Sequence, residues 1–125
     1  MEDLIIEGTQ GTPEVNFNGT TGLLIISGRA NANGLTFFYK AIDEWQDKYL
    51  TNPAELTTVE LRLEYTNSVF LKLLYTFLDK CKSVEEKGKK LIIKWYHLKG
   101  DEDSIDDAIR FSKVIKFPIE NLEVD

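Results

Sequence analysis

Three small polar residues, Thr66, Asn67 and Ser68, stand where an alternating apolar pattern gives way to a helical one. Two of them carry hydroxyls that a protein kinase can phosphorylate. A hydroxyl at a helix start can also act as an N-cap, its oxygen accepting from the first free backbone N–H groups. Phosphate adds about −1.5 to −2 charge, and those N–H groups together with the helix dipole accommodate it. From residue types alone both roles stay open for Ser68: a cap contributing about 1 kcal/mol, or the site of a switch.

Other residues with chemistry to offer read as structural. His97 is the only histidine, and a catalytic triad would need a nucleophile and a positioned carboxylate beside it. No such set is marked, so no catalytic residue is assigned. Asp101, Glu102, Asp103, Asp106 and Asp107 form an acidic cluster without the spaced ligands and central glycine of an EF-hand loop. The cluster reads as a solvated helix start, and no metal is expected. Gly8, Gly11, Gly19 and Gly22 precede no Gly-Lys-Ser/Thr, so no phosphate loop and no cofactor is implied. Thr9 and Thr12 lie in a Gly/Pro-rich turn, where hydroxyls serve the backbone.

The elements that must position these groups follow from periodicity. Leu4-Ile5-Ile6 is a short apolar run, Glu7 to Pro13 a turn, and Val15 to Phe17 extended again. Asn18 to Gly22 is a turn into Leu23 to Ser27, a central strand, and Gly28 to Gly34 reads as a polar loop. Phe38, Ala41, Ile42, Trp45 and Tyr49 mark a helix ended by Thr51-Asn52-Pro53. Val59, Leu61, Leu63 and Tyr65 alternate with Glu60, Arg62 and Glu64, as in a half-buried strand. From Phe70 the stripe Phe70, Leu74, Phe77, Cys81, Val84 predicts one long helix to about Lys87, with Ser68 as its N-cap and Gly88 as C′. Lys87 to Lys90 is basic for the same helix-end reason. Leu91, Ile93 and Trp95 form another strand, and His97 to Asp103 a charged loop. Ser104 with Asp107 resembles a capping box that opens a helix with the stripe Ile105, Ala108, Ile109, Ser112, Ile115. Phe117-Pro118-Ile119 begins a short edge strand.

The order is β-β-β-α-β-α-β-α-β, an α/β fold with a mixed sheet of about five to six strands. Charged faces on two strands argue for helices mainly on one side and a partly open face on the other. With 125 residues the chain suits one domain, residues 1–125. No apolar run approaches the roughly 20 residues of a membrane span, and Met1-Glu2-Asp3-Leu4 lacks the basic and apolar regions of a signal peptide. One cysteine, Cys81, leaves no disulfide, so the reading is a cytoplasmic protein. The net charge of −6 argues against nucleic acid as partner.

Ile6 to Pro13, Leu61 to Ser68, and Leu91 to Tyr96 together resemble the bacterial SiaC-type regulatory phosphoproteins, in the same order over nearly the whole chain. The resemblance implies a fold similar to STAS domains and no enzymatic activity. It implies a Ser/Thr kinase that phosphorylates the protein and a PP2C-type phosphatase that reverses this. The unmodified form then binds a downstream target such as a diguanylate cyclase, in cyclic di-GMP signalling. The family's modified hydroxyl follows a Tyr-x-Asn pattern, which falls on Ser68, with Thr66 as second choice. Tyr65, Asn67 and Lys72 flank it as expected partner-binding residues. Where the family commonly carries a Pro-Glu pair, this chain has Ala32-Asn33. The alternative is a scaffold of the same fold, perhaps as a homodimer, that works without phosphorylation.

Overall fold

Turn chemistry shapes the first three strands, β1 (Leu4–Ile6), β2 (Glu14–Phe17) and β3 (Leu23–Ala30), which pair antiparallel in chain order. In the first turn Thr9 Oγ1 accepts from the N–H groups of Gly11 and Thr12 at 3.2 and 2.9 Å, a backbone role. In the second, Asn18 Oδ1 accepts from Thr20 and Thr21, both at 2.9 Å. Gly22 closes it at φ +79°, where a Cβ would overlap the Leu56 carbonyl oxygen, so only glycine fits. This computed structural model describes residues 1–31 and 36–124.

Three further strands, β4 (Leu56–Thr66), β5 (Lys90–Leu98) and β6 (Glu120–Val124), run parallel to β3 and to one another. The six lie in sequence order, β1-β2-β3-β4-β5-β6. Between the parallel strands come α1 (Thr36–Thr51), α2 (Ser68–Cys81) with the short α3 (Ser83–Glu86), and α4 (Glu102–Ile115). Crossovers of one hand that always step the same way along a sheet lay every helix on the same face. Burial agrees: Leu24, Ile26, Val59, Leu61, Ile93 and Trp95 are sealed beneath the helices. On the opposite face Arg62 pairs with Glu60 at 3.1 Å and covers the Tyr96 ring at 3.9 Å. The mixed six-stranded sheet and its one-sided helices are as the alternation predicts.

The expected apolar stripes form the core. Phe38, Ile42, Trp45 and Tyr49 of α1 meet Phe70, Leu74, Phe77 and Cys81 of α2. Phe17 stacks on Phe77 at 5.4 Å, and Trp45 on Tyr49 at 5.0 Å. Between the helices the buried Gln46 donates to the Phe77 carbonyl at 2.7 Å and to Cys81 Sγ at 3.3 Å. Burial pushes the Cys81 thiol up to about 12, which makes it an inert core residue. At the rim of this seam burial would lower the Lys80 pKa, but the hydrogen bonds that its Nζ donates to Asp43 at 2.8 Å and Asp47 at 2.5 Å raise it.

Four local expectations need correction. Gly28 to Ala30 are strand, because a bulge between Gly28 and Arg29 lets β3 keep pairing with β4 as far as Thr66; Ala32 to Gly34 lie outside the described residues. The long helix breaks at Lys82, whose N–H turns back to Asp79 at 3.3 Å while its Nζ reaches the Ile115 carbonyl at 2.6 Å. Gly88 does end the following turn, at φ +76°. His97 and Leu98 are strand rather than loop, since β5 continues beside β6. On α4 it is Phe111, not Ile109, that joins Ala108 and Ile115 in the core, because the helix turns Ile109 to the surface.

Candidate functional site

Asn67 caps α2, not Ser68. Its backbone is extended at φ −107° and ψ 171°, and its Oδ1 accepts from the Phe70 N–H at 2.9 Å. Asparagine and serine cap about equally well, so residue type alone could not separate them. The Asn67 N–H is itself anchored on the Ala30 carbonyl at 3.0 Å, which ties the helix start to the end of β3. Ser68 thereby becomes the first helical residue, and it is exposed. The first turn of α2 holds no acidic residue, so no side-chain carboxylate offsets the positive end of its dipole. Thr66 is the last residue of β4 and half-buried, less open to an enzyme than Ser68.

Of the expected flanking residues, Tyr65 is 49% exposed with the Arg29 guanidinium 5.8 Å from its ring centre, and Lys72 is exposed one turn beyond Ser68 on α2. The structure adds three that the sequence reading missed. Val69 beside Ser68 is 55% exposed, Phe37 in the first turn of α1 86%, and Leu98 at the end of β5 55%. All belong to the carboxyl end of the parallel strands or to the helix starts that follow it in the chain. Their signal was visible: Phe37 and Val69 are apolar residues off the buried stripes of their helices.

Beside this surface α4 begins. Its cap is Asp101, whose Oδ1 accepts from the Ser104 N–H at 3.1 Å; Ser104 is not the cap, because its Oγ instead accepts from the Trp95 indole at 2.8 Å. Between α4 and the ends of β4 and β5 lies a cleft of about 490 Å³, lined by Tyr65, Thr66 and Leu71 on one side and by Asp103, Asp106 and Asp107 on the other. Burial, and then the carboxylates of Asp103, Asp101 and Asp106, outweigh the Arg110 guanidinium and raise the Asp107 pKa. Among the described residues no three metal-ligating side chains converge. His97 is 8% exposed, and no nucleophile or carboxylate bonds to it among the described residues. No helix of the described residues is long and apolar enough to cross a membrane.

Comparison with known proteins agrees over nearly the full length. Residues 6–124 match the family described as SiaC family regulatory phosphoprotein. An uncharacterised protein of Pseudomonas aeruginosa strain UCBPP-PA14 is 25% identical over 118 residues, covering 94% of each chain. Among solved structures, apo-SiaC of P. aeruginosa superimposes with a TM-score of 0.84 at 23% identity, over 98% of this chain and 99% of that one. The diguanylate cyclase SiaD in complex with its activator SiaC, from the same organism, gives a TM-score of 0.88 at 23% identity, over 98% of this chain and 100% of the matched one.

Proposed function

The chain belongs to the SiaC family of regulatory phosphoproteins, and we propose that phosphate on Ser68 decides which partner it binds. Like its family, the protein regulates rather than catalyses. The unmodified form engages and controls a downstream enzyme. A diguanylate cyclase is the target of choice, since SiaC of P. aeruginosa is the activator of the cyclase SiaD. A Ser/Thr kinase adds the phosphate and a PP2C-type phosphatase removes it. All 125 residues act as one regulatory domain.

The observation that carries this reading is the setting of Ser68. It is exposed, first in its helix, without a carboxylate in that first turn, and bordered by the exposed apolar side chains of Tyr65 and Val69. The helix end tolerates an added phosphate, so the fold survives modification. The apolar surroundings do not: a dianion there must be desolvated for a partner to close over it. Modification therefore acts on the interface while leaving the core intact. Lys72, one turn along, offers the phosphate a cation in the modified state.

The test compares Ser68→Ala and Ser68→Asp for affinity toward the cyclase encoded in the same organism. Ser68→Ala retains binding, and Ser68→Asp weakens it at least tenfold, which corresponds to about 1.4 kcal/mol. Equal affinities would sink the proposal and leave a phosphorylation-independent scaffold. Mass spectrometry of protein from its native host then separates Ser68 from Thr66.

A further inference from the structure

A second, smaller cleft of about 180 Å³ adjoins the larger one, sharing Leu63, Glu64 and Asp101 with it. Their combined lining carries five carboxylates, those of Glu64, Asp101, Asp103, Asp106 and Asp107, against two guanidinium groups. Both cations are already engaged: Arg62 with Glu60 and the Tyr96 ring, Arg110 with Asp107. Beside the carboxylates Tyr65 and Leu71 provide accessible apolar surface, over the buried Leu63 and Trp95.

An independent feature points the same way. The His97 imidazole lines the smaller cleft, is more than nine-tenths buried, and has an Nδ1 with no hydrogen-bond partner among the described residues. Buried polar side chains nearly always find partners. The cleft that His97 lines with Glu64 and Asp101 is rich in acceptors, and its one guanidinium, Arg62, is already engaged. In the same lining, burial and then the charges of Asp103, Asp101 and Asp106 raise the Asp107 carboxyl.

We propose that the joined clefts dock a basic segment of a protein partner, one arginine or lysine side chain entering between Glu64 and Asp101 beside His97 and an apolar neighbour resting on Tyr65 and Leu71. Charge complementarity selects this occupant. An arginine brings five donors, and its planar fork suits paired carboxylates. Five carboxylates would repel an acidic segment and nucleic acid. The docking rests on the reading of this end of the sheet as the partner face, but needs no phosphate on Ser68.

The experiment titrates the unphosphorylated, isotope-labelled full chain with a short acetylated and amidated peptide alternating leucine and arginine, and with its leucine–glutamate counterpart. The arginine peptide shifts the amides of Glu64, His97, Asp101, Asp103 and Asp107 and the Trp95 indole, saturably, and more weakly as salt rises. The glutamate peptide shifts none of them. Replacing Asp103, Asp106 and Asp107 together by asparagine weakens binding at least tenfold, and the exposed Glu64→Gln alone weakens it several-fold. Glu85→Gln with Glu86→Gln on α3 leaves it unchanged. Equal affinity in the cleft variants, shifts centred elsewhere, or no saturable binding overturns the docking proposal. None of these outcomes touches the Ser68 comparison, which is measured with the cyclase.

Discussion

Two helices, α2 and α4, begin side by side at the carboxyl end of the sheet, yet their first turns are opposites. The start of α4 reads Asp101-Glu102-Asp103, with Asp101 capping and two further carboxylates facing the dipole. The start of α2 reads Asn67-Ser68-Val69, neutral throughout, with an amide as cap. Both satisfy the backbone donors, but only α4 carries its complementing negative charge within the sequence. A helix end left neutral is one where added charge is tolerated. A helix end already saturated with carboxylates contributes its surplus to the neighbouring cleft. The contrast is what would let one face offer both the proposed phosphate site at Ser68 and the proposed docking surface for a basic segment.

The largest effects expected from breaking this contrast fall on the caps. Asn67→Ala should lower unfolding free energy by about 1–2 kcal/mol in denaturant titration. Asp101→Ala should lower it by less than about 1 kcal/mol, because the lost cap is offset by relief of repulsion around Asp107. Equal losses would show that the surplus charge at α4 carries no cost.

Next in size is a charge added where there is none. Ser68→Asp should raise stability by about 0.3–1 kcal/mol at low ionic strength, the gain shrinking with salt. Its effects on folding and on cyclase binding would then have opposite signs. If Ser68→Asp destabilised the fold, loss of binding could no longer be assigned to the interface.

The smallest effect concerns Asp107. Its folded pKa is raised above the unfolded value of about 3.9, so the ionised form costs stability. That cost is present above the folded pKa and disappears as pH falls through it toward the unfolded value. Asp107→Asn should therefore be slightly more stable at neutral pH, by a margin that solvent screening keeps small, and the difference should shrink as pH falls toward the unfolded carboxylate value. Thermal melts across pH measure this directly.

Much of this was legible in order. The alternation of Val59 to Tyr65 and the turn at Asn18 to Gly22 each became the expected element, and the stripe from Phe70 to Val84 became helix, though with a break at Lys82. Errors gathered at element ends, where two good residues compete for one role. Asn67 and Ser68 compete for one cap, and so do Asp101 and Ser104. Backbone conformation and the Trp95 indole decide these cases, and both depend on neighbours distant in sequence.

By itself, then, the sequence determined the order of strands and helices, the helix-covered and open faces of the sheet, and a hydroxyl at the strand-to-helix corner. These follow from side-chain period and turn chemistry, which act over a few residues. Only the tertiary structure decided that Ser68 stands exposed just inside the cap, with Tyr65 before it and Val69 after it exposed as well. It also brought Glu64 of β4 and His97 of β5 together with the carboxylates of α4. That meeting is set by the register of β4 against β5 and by the packing of α4 on the sheet, which no local pattern encodes.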